Sequence, residues 1–241
     1  MIEIRPLREL AQLEEAVDLQ KRIWGYADAD LLPLRFFVVA GKVGGHCFGA
    51  YDGHLMIGFL LGIPGLKPGG TPFFHSHMMG LLPEYRSQGV GRQLKLRQRE
   101  EALANGVDLV EWTFDPLLIR NAYFNIERLG AIVRTYSENL YGTTPSLLQG
   151  GLPTDRFTAE WRLRSPHVES ILAGAPLPRE VTARVEMPAE IERIRREDLD
   201  RARAIQRANA QRFECFFRQG LAVIGFERTG TAGVYLLGPA L

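Results

Sequence analysis

The chain has 241 residues, 46% of them hydrophobic and 24% charged, with a formal net charge of +1. This is the composition of an ordinary soluble globular protein with one large or two modest domains, and its interspersed charges offer no basic block to a nucleic acid or an anionic membrane. No apolar run approaches the roughly 20 residues of a membrane span, the charged start MIEIRPLREL lacks a signal-peptide core, and Cys47 and Cys215 stand in no metal or redox spacing, so a cytoplasmic protein with free thiols and no metal is expected.

Ile2 to Leu7 alternates like a strand, and Leu10, Leu13, Ala16, Val17 and Gln20 lead at helical spacing to Trp24. A second helix is predicted from Leu34 to Val43. His46–Tyr51 and Leu55–Ile63 read as a hairpin across Asp52-Gly53, followed by a Gly/Pro-rich loop from Pro64 to Pro72. Phe73–Leu82 is a fourth strand, and it carries two histidines. It stops at Pro83, and after Arg86-Ser87-Gln88-Gly89-Val90-Gly91 a helix runs to Asn105. Val107–Phe114 is a continuous apolar strand suited to the middle of a sheet, and Leu118, Ala122, Ile126 and Leu129 make a helical stripe before the strand Ala131–Tyr136.

The stretch from Asn139 to Thr154 is rich in Gly, Pro, Ser and Thr, which marks a boundary. Beyond it come a strand (Phe157–Leu163), a short helix (Val168–Leu172), a strand (Val181–Glu186), one long helix (Glu197–Gln219) and a hairpin across Thr229-Gly230. The expected division is a core over residues 1–145 and an α+β extension over 146–241, packed on the core. Ala232 to Gly238 echoes Ile57 to Gly62, so the tail can be read as a partial repeat of the core or as a chance likeness of two hairpins. The charges between Glu190 and Arg212 form a solvated face or the contact of a homodimer.

A strand that ends at a proline and turns into a helix through RSQGVG can hold an anion. Gly89 and Gly91 allow close backbone approach, and the first-turn amides share one direction with the positive end of the helix dipole. A Walker loop would need Gly-Lys-Ser/Thr, and a Rossmann loop would follow the first parallel strand; neither fits.

LLPEYRSQGVGRQL resembles the acetyl-CoA-binding segment of the GNAT superfamily, whose motif is Arg/Gln-x-x-Gly-x-Gly/Ala after a strand and an x-Pro turn. Arg86, Gly89, Gly91 and Pro83 match, and the order of elements is similar over Met1 to Tyr136. The resemblance implies an α/β GNAT fold, a mixed central sheet whose fourth and fifth strands splay apart. It implies that the amides of Ser87, Gln88, Gly89, Val90, Gly91 and Arg92 bind the coenzyme A pyrophosphate. Backbone groups of Met79, Leu81 and Leu82 would pair with the pantetheine, and the amide nearest Leu81 or Leu82 would polarise the thioester carbonyl. Asn121 would also touch the pantetheine. The superfamily's usual tyrosine acid is replaced by Ile126, and Ala131 stands where a phenylalanine is usual, so Tyr123 is the first candidate for the acid, ahead of Tyr136 and Tyr141.

Strict alternation puts His75, His77, Met79 and Leu81 on one face. Two imidazoles near a thioester can carry a proton away from an attacking amine; the bland alternative is two histidines hydrogen-bonded in a partly buried sheet. His75 falls where histone-type members carry a glutamate, and the pair resembles the His-x-His of arylalkylamine N-acetyltransferases. WTFDPL, NAYFN and TDRF followed by EW are similar to a larger GNAT subfamily associated with N-acyl and N-succinyl transfer to amino acids. That likeness implies acetyl-CoA or succinyl-CoA as donor and a small amine or amino acid as acceptor. Apart from it, Arg35 and Asp155-Arg156 either bind a substrate carboxylate through a bidentate pair or are surface and structural charges. A non-catalytic acyl-CoA-binding protein and a protein lysine acetyltransferase are the competing readings.

Overall fold

The structure, a computed structural model, describes residues 1–142 and 151–240. Two compact units divide the chain, Met1–Glu111 and Trp112–Leu241. The boundary expected at 145/146 lies outside the described residues. Among those, no helix is long and apolar enough to cross a membrane.

The first unit holds β1 (Ile2–Pro6), α1 (Leu10–Trp24), α2 (Leu34–Lys42), β2 (His46–Asp52), β3 (Leu55–Leu66), β4 (Pro72–Leu81), α3 (Val90–Ala104) and the start of β5 (Leu109–Phe114). Its strands lie in the order β1-β2-β3-β4-β5, antiparallel throughout except that β5 runs parallel to β4 after the α3 crossover. Local chemistry sets several of these bounds. A Glu9/Gln12 capping box starts α1, and Gly25, at φ 68°, ends it in the left-handed conformation glycine favours. β3 reaches Leu66, so the predicted loop contracts to a five-residue turn closed by the Lys67 amide on the Thr71 carbonyl at 2.8 Å. The core is centred on β3, where Met56, Ile57, Phe59, Leu60 and Leu61 are fully buried together with Phe37 of α2. Each such side chain contributes about 1.5–3 kcal/mol by leaving water.

β3 and β4 form the longest ladder, and it is interrupted. Gly58 to Leu61 pair with Leu81 to Met78, but Gly62 pairs with Ser76, so β4 carries one extra residue, His77, in a β-bulge. The β4–β5 ladder is short, recorded at Phe74↔Val110 and His75↔Glu111. The sheet is therefore mixed.

The second unit continues from β5 through α4 (Ile119–Ala122), which widens into a π-helical segment at Tyr123–Arg128. Then follow β6 (Ile132–Ser137), β7 (Arg156–Arg162), α5 (Pro166–Leu172), β8 (Ala183–Pro188), α6 (Ile191–Glu197), α7 (Leu199–Arg218), β9 (Leu221–Arg228) and β10 (Ala232–Pro239). Its strand order is β7-β6-β9-β10-β8. The long helix expected near Glu197–Gln219 is α7, and a short helix, α6, precedes it; between them the Asp198 carboxylate caps α7 by accepting from the Arg201 amide at 2.9 Å. The core is aromatic: Phe157 meets Phe213 with ring centroids 4.7 Å apart, and Tyr235 stands edge-on to Phe213 at 5.2 Å.

Candidate active site

The turn between β4 and α3 is shaped for close approach. Ser87 has φ 63° and Gly89 φ 84°, and a Cβ on Gly89 would meet nothing within 4 Å. There is open space around Gly89. Val90, Gly91 and Arg92 occupy the first helical turn, where amides have no acceptor within the helix. The side chains of Arg86 and Gln88 do not complete this cradle. The Arg86 guanidinium donates to the carbonyls of Leu81 (3.2 Å) and Ile23 (3.3 Å), and Gln88 donates to the Glu84 carbonyl (2.7 Å). These hydrogen bonds tie both side chains to backbone carbonyls of the fold.

Antiparallel pairing turns alternate residues toward the partner strand. The Leu82 amide donates to the Ile57 carbonyl at 2.9 Å, so it is engaged by β3. That corrects the expectation that Leu82 offers its amide to a ligand. The alternation turns the backbone groups of Met79 and Leu81 the other way, toward the open edge of β4, though the Leu81 carbonyl already accepts from Arg86.

The bulge also corrects the faces. Ser76 lies on the α3 side, where its hydroxyl accepts from Lys95 at 2.8 Å. Met79 and Leu81, opposite Leu60 and Gly58, share that side. His75 and His77 lie on the other, with α1 and α2: their rings are 6.0 Å apart, and His77 packs 5.4 Å from Phe36. The two imidazoles thus stay together, while the side chains of Met79 and Leu81 leave their face.

Burial is the main cause that lowers His75, to about 4, with His77, Lys95 and Lys67 adding to it. His77 is more exposed, and desolvation lowers it as well. At neutral pH His75 is therefore an uncharged acceptor for a proton. Beside it Glu111, its partner in β5, is buried and paired with Lys67 at 2.5 Å.

Asn121 and Tyr123 belong to the second unit. Asn121 sits in α4, and Tyr123 opens the π-helical segment with the Arg228 guanidinium 4.2 Å over its ring. Ile126 is fully buried there. The other tyrosines are engaged: Tyr136 donates to Asp155 at 2.5 Å, and Tyr141 is 2.9 Å from Thr113. Burial, then that hydrogen bond, raises Tyr136 far above the ordinary phenol range. Asp155 also accepts from the Asn139 amide, and the Arg156 guanidinium donates to the Asp155 backbone carbonyl at 2.8 Å. Trp112 and Trp161 pack edge to face, as core residues do.

Sequence reasoning passed over Lys95, which is buried on α3 and hydrogen-bonds Ser76 and Gln98. Its place on the stripe Val90, Leu94, Gln98, Ala102 was the available signal.

No protein-family model matches the chain, and no curated protein matches it. Solved structures do. The ribosomal-protein-S18-alanine N-acetyltransferase from Escherichia coli is similar over 68% of this chain and 96% of its own, at 19% identity and a TM-score of 0.54. Arabidopsis thaliana Naa50, in complex with the bisubstrate analogue CoA-Ac-MVNAL, is similar over 66% and 97%, at 14% identity and a TM-score of 0.51. A GNAT family acetyltransferase from Elizabethkingia anophelis with acetyl-CoA bound is similar over 67% and 97%, at 13% identity and a TM-score of 0.50. At these identities the likeness establishes the fold, which is the GNAT fold.

Proposed function

We propose that this protein transfers an acyl group from an acyl-CoA thioester to an amine, and that the acceptor is a small molecule, an amino acid above all. The observation that carries the reading is the β4–α3 turn, left-handed at Ser87 and Gly89 and leading into the first turn of α3. In this reading the amides there hold the pyrophosphate and the outward backbone of Met79 and Leu81 receives the pantetheine. The Leu81 amide donates to the thioester oxygen. The amine nitrogen attacks the thioester carbon, the oxyanion forms at that amide, and the carbon–sulfur bond breaks to release coenzyme A. The amine's proton passes to the His75/His77 pair and from the more exposed His77 to solvent, while the departing thiolate takes up a proton. Proximity supplies much of the acceleration. Tyr123 is the proposed donor of that last proton and Asn121 a proposed pantetheine contact, both on the GNAT resemblance.

Succinyl-CoA as donor and an amino acid as acceptor rest on the subfamily resemblance of WTFDPL, NAYFN and TDRF. A second reading, the amine of a polypeptide, draws on two of the similar structures, one named for an alanine of ribosomal protein S18 and one holding an MVNAL analogue. Thiol release from acetyl-CoA and succinyl-CoA separates the readings when run against L- and D-amino acids, arylalkylamines and short peptides. Turnover with free amino acids supports the first, and turnover with peptides alone supports the second. Coenzyme A binding with no turnover for any amine would leave a binding protein.

A further inference from the structure

A lysine buried without contributing to the proposed chemistry calls for a reason, because removing an amine from water is costly. Lys95 is 2% exposed and donates to the Ser76 hydroxyl at 2.8 Å and to Gln98 at 3.1 Å. Ser76 is itself buried and stands between His75 and His77, one residue before the bulge.

The ladder shows what is at stake in that bond. Continuing the pairing Gly58↔Leu81, Phe59↔Gly80, Leu60↔Met79 without an extra residue would set His77 opposite Gly62 and His75 opposite Pro64. A one-residue slip exchanges the faces of every side chain. Both imidazoles would then turn to the α3 side, against the buried Lys95, and Ser76 would turn to the side of Phe36. The observed register does the reverse: Ser76 faces Lys95, and His75 and His77 face α1 and α2. A Cβ on Gly62 would lie 2.7 Å from Gln98 Nε2, so the position opposite Ser76 is already filled from α3.

We propose that Lys95 is a positioning residue: through its hydrogen bond to Ser76 it holds the β4 bulge in the register that presents His75 and His77 together on the α1–α2 side. The catalytic consequence rests on the acyl-transfer reading above, whereas the register itself does not. Burial, which pushes the Lys95 amine well below the usual lysine range, is consistent with a structural donor rather than a surface charge.

The test compares K95M, S76A and S76T in the full chain by two readouts. One is the imidazole nitrogen signals of His75 and His77, assigned with H75Q and H77Q. The other is kcat set against KM for acetyl-CoA. K95M and S76A are each expected to displace both imidazole signals and to lower kcat about tenfold, with KM within about twofold, while S76T keeps the wild-type values. If the signals move and kcat does not, the positioning role stands and the histidine-base reading fails. If folded K95M and S76A keep both imidazole signals in place, the positioning role is overturned, whatever happens to melting temperature. Should K95M not fold, S76A decides alone, since it removes one hydroxyl.

Discussion

In the second unit the polar groups answer one another: Arg195 meets Asp115 at 2.8 Å, Arg179 meets Glu127 at 2.6 Å, Trp161 donates to the Leu129 carbonyl, and Tyr235 donates to the Pro116 carbonyl. In the first unit the unanswered polar groups lie beneath β4. Both ring nitrogens of His46 and the Gln98 amide nitrogen are buried without a hydrogen-bond partner, and Lys95 is buried beside them. Native interiors satisfy most buried polar groups, and the exceptions gather where chemistry or strain is held. In the first unit these groups lie under the strand that carries His75 and His77. The second unit has unanswered atoms of its own, among them both ring nitrogens of His167.

The strongest way to break this comparison is to remove both imidazoles. The H75A/H77A double variant should lose about 10³-fold in kcat while coenzyme A still binds, because general base catalysis contributes 10²–10⁴-fold; an active double variant would move the chemistry elsewhere. A negative charge at the loop is next. Gly89→Asp puts a carboxylate and a strained left-handed residue where the pyrophosphate should lie, and calorimetry should show an affinity for coenzyme A about 10²-fold weaker. Unchanged affinity would remove the loop from the site.

Arg179→Ala in the second unit should act on stability alone. It strands Glu127, which also accepts from the Phe226 amide at 2.6 Å. The side chains are 13% and 21% exposed, so solvent tempers the loss to about 2 kcal/mol, with coenzyme A affinity unchanged. A change in affinity at constant stability would contradict the division of labour. The smallest effect is on acid tolerance. Burial lowers His46, His75 and His167 to about 4 in the fold, whereas the unfolded chain takes up these protons near 6.5. The unfolded state then binds more protons between those values, so stability is full above pH 6.5 and erodes as pH falls toward 4. Replacing His46, which packs 3.8 Å from Phe74, by phenylalanine should flatten that acid limb by about 1 kcal/mol per pH unit, read as melting temperature against pH.

The hairpin at Asp52-Gly53, the helix starting after RSQGVG and the β–α alternation were legible because each is signalled by neighbours in the chain: a glycine that permits φ 61°, an apolar stripe, a proline stop. The short helix α6 was missed, although the Asp198 cap that separates it from α7 is equally local. The candidate site divides along the same line. Arg86, Gly89 and Gly91 could be picked out by spacing, but that Arg86 is tied to backbone carbonyls could not, because its acceptors include Ile23, far away in sequence.

By itself, then, the sequence determined the order of elements, the glycine turn from β4 into α3 and the presence of two histidines on the strand leading into it. Only the tertiary structure decided which way those histidines face, which amides of β4 stay open, and that Lys95 lies buried beneath Ser76. The physical reason is that a bulge belongs to a pair of strands. Alternation is a property of one chain segment, whereas the extra residue at His77 exists only relative to Leu61 and Gly62 on β3.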